Sequence, residues 1–421
     1  MNYVIVGAGP AGVIAAETLR YMDAGANIQL IGDEPEPPYS RMAIPYCLID
    51  RVTEEGTYLR KSDRHFDDLN IEVINDRVLS VSAGEGSVAL GSGTTISYDR
   101  LLVATGSTPI SPPIEGMDLP GVYPCWTLAD YRNIAARADK GAKVVLMGAG
   151  FIGSIILEAL AARGVDLTVV ELENRMVPRM MNEASGGLIK RWCEQRGVRV
   201  LTSTRVDGIS SGNPLAVSLS NGETLTANLV ISATGVAANT QFLEGSGVDI
   251  DQGIVVNERL ESSVANLFAA GDVAQGRDFS TGDYTIQAIQ PTAVDHGRVV
   301  ASNMTSGHEQ LHRGSLNMNV LDTMGLVSTS FGAWEGVSGG ESAELNDADG
   351  FRYLNLQFQD DVLVGANTLG HTDHIGVMRG LIQTGLHLGV WKDRLLDNPL
   401  CLMEAYVAAT QGVGLTTKVL D

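Results

Sequence analysis

One glycine pattern, Gly-x-Gly-x-x-Gly, occurs twice in the chain, at residues 7–12 and again at residues 148–153. Each copy follows a short apolar run, residues 4–6 or 144–147, and precedes a stretch of helical length rich in alanine, leucine and isoleucine. Each unit ends in a second apolar run that is closed by an acidic residue. Because strand, glycine turn, helix, strand and acid in this order form a dinucleotide-binding unit, the sequence predicts two dinucleotide sites.

The demands of a bound pyrophosphate explain the residue types in each turn. The first glycine allows a tight turn out of the strand, the second leaves room for the pyrophosphate against bare backbone, and the third lets helix and strand pack closely. The helix N-terminus then offers free N–H groups and a partial positive charge to the phosphates. The candidate binding residues are Gly7, Gly9, Pro10, Ala11 and Gly12 in the first unit, and Gly148, Gly150, Phe151, Ile152 and Gly153 in the second.

The acid at the end of each unit is expected to accept hydrogen bonds from ribose hydroxyls. In the first unit Asp33 follows the apolar run at residues 28–32, and Glu34 is a neighbouring candidate. In the second unit Glu171 follows residues 167–170.

Composition excludes several other classes of protein. The formal net charge of −21 repels nucleic acid. No apolar run approaches the ~20 residues that a membrane-spanning helix needs. The four cysteines are scattered without a CxxC pair, which is typical of a reduced, cytoplasmic protein without a disulfide framework. The first fingerprint begins at Gly7, so we expect no leader peptide and a cytoplasmic location.

Further motifs give the chain a family resemblance. Four motifs follow one another in order, namely GAGPAG at 7–12, YDRLLVATGS at 98–107, GAGFIG at 148–153 and AAGDV at 269–273. This order resembles the glutathione-reductase-like flavoproteins with two dinucleotide-binding domains. Within that family the chain is most similar to the FAD-dependent ferredoxin, rubredoxin and nitrite reductases and the NADH oxidases, which residues 32–35, 38–41 and 379–383 support.

The resemblance implies FAD on the first glycine turn and a nicotinamide nucleotide on the second. It implies that Asp272 binds the ribityl chain of FAD, that Arg41 faces the pyrophosphate, and that the backbone N–H groups of Thr292 and Ala293 face the pyrimidine edge of the flavin. The remaining positions that it implies are Ala104, Thr105, Gly106 and Gly271 at FAD and Gly235 at the nicotinamide nucleotide.

Glu171 favours NADH over NADPH as that nucleotide. A carboxylate bonds a free 2′-hydroxyl but repels a 2′-phosphate, which usually calls for arginine. Arg175 lies four residues further on, so NADPH is the less favoured alternative rather than an excluded one.

The chain departs from the family beside the flavin. Met42 stands where some members carry a single redox cysteine, and Cys47 has no partner at the disulfide spacing. Methionine forms no thiolate or disulfide, so we interpret Cys47 as a small buried side chain and expect no disulfide reduction. Tyr46 and Ile155 replace the lysine and glutamate of related ferredoxin reductases. Tyr46 is the candidate catalytic residue, as a proton donor near the flavin, with simple packing as the alternative.

These observations predict an NADH-dependent FAD oxidoreductase that passes electrons to an iron–sulfur carrier such as a ferredoxin or rubredoxin. One alternative is a reductase or oxidase acting on a quinone, dioxygen or another small molecule, and another is an FAD-binding scaffold subunit of a larger complex. We expect no nucleic-acid or membrane partner, and a homodimer is possible. The pairs His371/His374 and His308/His312 lack a third ligand, so no metal site is predicted. His296 is either a helix-surface residue or a ligand at the flavin edge.

The predicted fold is α/β, with two Rossmann-like dinucleotide-binding domains and a C-terminal α+β domain. The FAD domain is expected at 1–112 and 241–314, the NAD domain at 113–240, and the C-terminal domain at 315–421. In the last of these, the sequence predicts a hairpin turning at Asp360-Asp361 and helices near 375–385 and 399–410.

Overall fold

The computed structural model describes residues 1–416, with side-chain surroundings through residue 411. Its first large sheet has five parallel strands, in the spatial order Leu267–Ala269, Arg100–Val103, Asn2–Val6, Asn27–Gly32 and Ile71–Asn75. Val4, Ile5 and Val6 on the central strand are buried, as expected for a parallel sheet covered on both faces. Helices Pro10–Met22 and Gln290–Met304 pack against each other beside it. The glycine turn at residues 7–9 therefore lies at the carboxyl end of the central strand.

A second parallel sheet repeats this arrangement in the middle of the chain. Its strands lie in the order Arg199–Leu201, Asp166–Val170, Lys143–Met147, Leu229–Ser232 and Val122–Pro124. Helix Phe151–Arg163 follows the central strand and ends at Gly164, whose φ of 76° closes the helix in the left-handed conformation. The second glycine turn thus holds the same place in its sheet as the first.

Small sheets accompany the two parallel ones. Two are fully antiparallel and comprise Val78–Ser82, Ser87–Leu90 and Thr95–Ser97, and Val206–Ser210, Leu215–Leu219 and Thr224–Ala227. In a third, Ile254–Val255 pairs parallel with Ala274–Arg277, which pairs antiparallel with Tyr284–Ile286. Strand Ser107–Pro109 pairs antiparallel with Val236–Ala238. These two strands immediately follow the Ala-Thr-Gly sequences at 104–106 and 233–235, so the chain segments that leave the two parallel sheets lie side by side.

The C-terminal part is a five-stranded antiparallel sheet with helices. Its strands lie in the order Met318–Thr323, Leu326–Gly332, Val362–Leu369, Arg352–Gln359 and Glu341–Asp347, and its helices are Ile375–Thr384, Val390–Asp397 and Leu402–Thr416. The predicted hairpin turn at residues 360–361 is confirmed. The helix at 390–397 was not predicted, and the last helix begins three residues later than expected. Residues 417–421 of the predicted C-terminal domain lie outside the described residues.

The remaining helices are short or lie between the sheets. They are Ile44–Leu48, Glu54–Thr57, His65–Asp68, Leu128–Ala135 and Glu183–Glu194. The two parallel sheets and the mixed C-terminal part confirm the predicted fold class. Within residues 1–416, no helix is both long enough and apolar enough to cross a bilayer.

Candidate functional site

The first glycine turn is closely packed at its outer glycines and open at its middle one. A Cβ on Gly7 would lie 2.1 Å from the carbonyl oxygen of Ala104, and one on Gly12 would lie 2.0 Å from that of Gly7. Gly9 has no atom within 4 Å of its would-be Cβ. Packing therefore requires the first and third glycines, whereas the second borders open space of the kind a pyrophosphate needs.

The second turn has the same geometry. A Cβ on Gly148 would lie 2.5 Å from the carbonyl oxygen of Ala233, and one on Gly153 would lie 2.2 Å from that of Gly148. Gly150 again has nothing within 4 Å. Ala104 and Ala233 belong to the two Ala-Thr-Gly sequences, so this repeated motif packs against the first glycine of each turn.

The helices that follow both turns begin without a side-chain cap. Gly9 and Gly150 are the N-cap residues, and neither can supply a capping oxygen. By contrast, Thr127 caps helix Leu128–Ala135 and Asn182 caps helix Glu183–Glu194. The uncapped N–H groups and the positive end of each helix dipole are available to an anion.

A cavity of about 240 Å³ lies beside the first turn, with Glu34 in its wall. The lining residues are Ala8, Gly32, Glu34, Pro35, Glu36, Pro37, Pro38, Val73, Ile74 and Asn75. Glu34 accepts hydrogen bonds at 2.5 Å from Arg41 Nη2 and at 2.5 Å from the hydroxyl of Tyr39. Asp33, the other candidate acid, forms an exposed ion pair with Arg77 and does not line the cavity. The cavity thus brings together the first turn, Glu34 and the neighbourhood of Arg41.

Asp272 lies beside the first turn with one weak side-chain partner. Ser107 Oγ donates to its Oδ2 at 3.3 Å, and burial raises the pKa of the Asp272 carboxyl above its usual value. Gly271 precedes it, and a Cβ there would meet Ala11 and Ala293 at 3.4 and 3.5 Å. A desolvated carboxylate with so few donors favours a ligand that brings hydroxyl groups, as the ribityl chain of FAD does.

Helix Gln290–Met304 also begins without a side-chain cap, next to Gly271. Thr292 and Ala293 are buried in its first turn, and Gln290 accepts a hydrogen bond from Ser40 at 2.6 Å. This helix N-terminus therefore reaches the neighbourhood of Asp272, where the family resemblance puts the flavin.

His296 is buried in the helix Gln290–Met304, with only 5% of the residue exposed. The interpretation of His296 as a helix-surface residue is therefore wrong. The Gly271 N–H donates to its Nδ1 at 3.3 Å, and its Nε2 lies 3.3 Å from Nε2 of His312. Burial, together with the nearby His312, lowers the pKa of His296 to about 3. The ring is thus held neutral and supports the backbone just before Asp272.

Glu171 is buried directly beneath the second glycine turn. Its Oε2 accepts the Ala149 N–H at 2.6 Å, and its Oε1 accepts the Glu173 N–H at 2.9 Å. Arg175 donates to the carbonyls of Met181 and Pro178 and to the Asn174 side chain, so its guanidinium is engaged within its own turn. This arrangement fits a ribose with a free 2′-hydroxyl better than a 2′-phosphate.

Gly235 and the residues after the second turn surround the same edge of the sheet. Gly235 has a φ of 120°, and a Cβ there would approach the Ile110 side chain at 3.6 Å. Phe151 and Ile152 are half-buried at the start of their helix and pack on the core of this sheet.

The Ala-Thr-Gly segment of the first sheet is held by hydrogen bonds. Thr105 exchanges two with Asn239, and Gly106 follows with a φ of 64°.

The departures from the family lie in helix Ile44–Leu48, just before it at Met42, and in helix Phe151–Arg163 at Ile155. Tyr46 is 50% exposed, and Met42, one turn earlier, is 48% exposed. Cys47 is buried, its thiol donates to the Thr53 carbonyl, and burial raises the pKa of this thiol. The interpretation of Cys47 as a small buried side chain is confirmed. Ile155 is half-buried and packs on the neighbouring core.

Four residues near the first site were missed or undervalued in the sequence: Tyr39, Ser107, Trp126 and His296. Trp126 donates its indole N–H to the Ser107 carbonyl at 2.9 Å, and its own carbonyl accepts from Arg41 at 2.9 Å. Only Tyr39 and Ser107 carried a signal, since both lie within motifs that define the family resemblance.

Known proteins resemble this chain in sequence and in fold. A profile of the family described as pyridine nucleotide-disulphide oxidoreductase matches residues 1–297. The epsilon subunit of NADH-dependent phenylglyoxylate dehydrogenase from Aromatoleum evansii is 29% identical over 414 residues, 97% of this chain and 98% of that relative. Rubredoxin-NAD(+) reductase from Pseudomonas putida is 28% identical over 307 residues, 72% of this chain and 80% of the relative. The putidaredoxin reductase–putidaredoxin complex contains a similar fold, with a TM-score of 0.88 and 24% identity over 97% of this chain and 99% of that one.

Proposed function

We propose that this chain, which belongs to the pyridine nucleotide-disulphide oxidoreductase family, passes electrons between NADH and an iron–sulfur protein through FAD. The proposal proceeds from the family's activity, since the chain is an NADH-dependent flavin oxidoreductase. FAD is assigned to the first glycine turn and NADH to the second. The observation that carries the assignment is the matched pair of open turns, in which the middle glycine borders empty space and the helix behind it begins without a cap.

The residues around the first turn suit FAD. Glu34 lies in the wall of the adjoining cavity, where it can accept ribose hydroxyls, and Arg41 beside it supplies positive charge for the pyrophosphate. Asp272 offers a carboxylate to the ribityl hydroxyls. Thr292 and Ala293 contribute the positive end of their helix to the flavin.

The residues around the second turn suit NADH. Glu171 accepts hydrogen bonds from the ribose hydroxyls, while the Ala149 and Glu173 N–H groups hold its carboxylate in place. Gly150 leaves room for the pyrophosphate, and Phe151 and Ile152 carry the helix N-terminus that faces it. Gly235, at the carboxyl end of the adjacent strand, borders the same edge of the sheet.

FAD, when bound, supplies the ability to take an electron pair from NADH and to release electrons singly. The chain's own part is to bind and orient the two cofactors. Electron transfer through a cysteine thiol is disfavoured, because Cys47 is buried and its thiol is hydrogen-bonded to the Thr53 carbonyl. Burial also raises the pKa of this thiol, which disfavours the reactive thiolate. Tyr46 is half exposed and lies one turn after Met42. We propose it as the proton donor near the flavin.

An anaerobic carrier assay tests the iron–sulfur acceptor. FAD-loaded protein is mixed with NADH and either a purified rubredoxin or a purified ferredoxin, and the carrier's visible spectrum is followed. We expect carrier reduction that requires both the protein and NADH. Rapid NADH consumption in air, with no carrier reduction under nitrogen, would instead favour a small-molecule acceptor such as dioxygen or a quinone.

A second candidate function, a subunit of a larger dehydrogenase, is favoured by one comparison. The relative named as the epsilon subunit of NADH-dependent phenylglyoxylate dehydrogenase matches this chain almost from end to end, including its C-terminal part. In such an assembly the chain would exchange electrons between a nicotinamide nucleotide and the other subunits. Isolation from the native source distinguishes the two roles, because a subunit co-purifies with stoichiometric partners whereas a free reductase does not.

A further inference from the structure

We propose that Asn367, on the C-terminal sheet, is a positioning residue for NADH. It acts through residues 175–181, hereafter the 175–181 turn, which links Glu171 to the helix Glu183–Glu194. The inference rests on the proposed function, since it requires NADH on the second glycine turn.

The 175–181 turn folds back onto the second glycine turn. The Val177 N–H donates to the carbonyl of Ala149 at 2.8 Å, and the Ala149 N–H in turn donates to Glu171. Val177 has a φ of 51°, which is an unusual conformation for a β-branched residue. Because such a conformation persists only where the surroundings hold it, contacts elsewhere on the turn must fix its shape.

The C-terminal sheet supplies such a contact. Asn367 Nδ2 donates to the Met180 carbonyl at 2.7 Å, and its Oδ1 accepts from the Ser185 hydroxyl at 3.1 Å. Asn367 is 1% exposed, so its amide has no water to replace these partners. The Met180 N–H donates to the Val177 carbonyl at 2.9 Å. A chain of hydrogen bonds therefore leads from Asn367 through Met180 and Val177 to Ala149.

A second contact joins the same two regions. Asn182, which caps helix Glu183–Glu194, donates its side-chain amide to the hydroxyl of the buried Tyr353. Tyr353 and Asn367 lie on adjacent strands of the C-terminal sheet. Both of these hydrogen bonds from the C-terminal sheet thus fall on the segment that follows Glu171.

Three variants test the proposal in the FAD-loaded protein. Asn367→Ala removes the hydrogen bonds to the Met180 carbonyl and the Ser185 hydroxyl, and with them a weaker one to the Thr329 carbonyl within the C-terminal sheet, at 3.3 Å. Ser185→Ala removes the hydroxyl that lies 3.1 Å from Asn367 Oδ1 and 2.8 Å from Asn182 Oδ1, and it keeps the Ser185 N–H that donates to the capping oxygen of Asn182. Thr368→Val is the matched control, because Thr368 is as deeply buried on the same strand, and its hydroxyl hydrogen-bonds that of Thr329, within the C-terminal sheet, at 2.8 Å. Calorimetry gives the Kd for NAD⁺, and steady-state kinetics give KM and kcat for NADH.

We expect Asn367→Ala to raise the Kd for NAD⁺ and the KM for NADH about three- to tenfold, the range for one lost buried hydrogen bond, with kcat nearly unchanged. Ser185→Ala should raise them about twofold, and Thr368→Val should leave them unchanged. If Asn367→Ala does not fold, Ser185→Ala decides.

Unchanged NAD⁺ binding in Ser185→Ala and Asn367→Ala overturns the proposal, as does an equal loss in Thr368→Val, because that would indicate general loosening of the sheet. A wild-type protein that takes up FAD but binds no NAD⁺ contradicts the proposed function instead. The two failures are therefore distinguishable.

Discussion

Replacing Glu171 by glutamine should weaken the preference for NADH over NADPH. Glu171 lies beneath the second glycine turn and is only 6% exposed, and both of its oxygens accept backbone N–H groups. The substitution removes the charge and keeps the size of the side chain and one acceptor oxygen. The neighbouring Arg175 is engaged within its own turn, so its guanidinium does not pair with the Glu171 carboxylate.

The size of the effect follows from Coulomb's law. Two unit charges ~4 Å apart repel by about 4 kcal/mol at an effective dielectric constant of ~20. Salt screens this repulsion, so we expect a penalty of about 1–3 kcal/mol for a 2′-phosphate beside Glu171. Removing it should improve kcat/KM for NADPH about 5- to 150-fold. NADH should lose about fivefold, because a neutral amide accepts weaker hydrogen bonds from ribose hydroxyls than a carboxylate does.

Stopped-flow mixing under nitrogen measures both nucleotides, with loss of the flavin's visible absorbance as the signal. Glu173→Gln is the control, since Glu173 is an exposed acid two residues away that loses the same charge. The ratio of the NADPH to the NADH rate should change strongly in Glu171→Gln and little in Glu173→Gln. If the ratio stays within about threefold of wild type in Glu171→Gln, the carboxylate does not set the preference.

Three further predictions concern the two turns, the buried histidine and the buried thiol. Gly12→Ala, whose Cβ would lie 2.0 Å from a backbone oxygen, should abolish FAD retention, whereas Gly153→Ala, at 2.2 Å, should retain FAD and lose NADH binding; flavin content and NAD⁺ calorimetry check this. Burial lowers the pKa of His296 to about 3, so the unfolded chain binds a proton below pH ~6.5 that the folded one does not. Stability from urea unfolding should therefore hold above pH ~6.5 and fall by up to about 1.4 kcal/mol per unit as pH is lowered toward 3, and His296→Asn should remove this slope. Cys47→Ser should leave the rate of flavin reduction by NADH unchanged, and a large loss would contradict the absence of a thiol relay.

The elements that the sequence predicted well are those set by local pattern. Helix Phe151–Arg163 lies between a glycine turn and the left-handed Gly164, and both signals are adjacent in the chain. The hairpin at residues 360–361 was likewise predictable from two alternating runs and their turn. Helix Val390–Asp397 was not predicted, because its eight residues after Gly389, half of them charged, are too few to establish an apolar periodicity.

Contacts between segments that are distant in the chain could not be predicted from the sequence. The sequence offered Asp33 with Glu34 as its neighbouring candidate, and only the three-dimensional cavity, which includes residues 73–75 of strand Ile71–Asn75, distinguishes them. The burial of His296 could not be predicted, because nothing in its own helix indicates that the Gly271 N–H donates a hydrogen bond to its ring. The link from Asn367 to the 175–181 turn joins residues that are 187 positions apart, and no local pattern could reveal it.

The most direct measurement is an anaerobic titration of the purified, FAD-supplemented protein with NADH. The protein should be yellow, and an equimolar amount of NADH should remove the flavin's visible absorbance, because each NADH delivers one electron pair to one flavin. A protein that remains colourless after incubation with FAD, or a bound flavin whose absorbance persists in excess NADH, would contradict the assignment of the two glycine turns to these two cofactors.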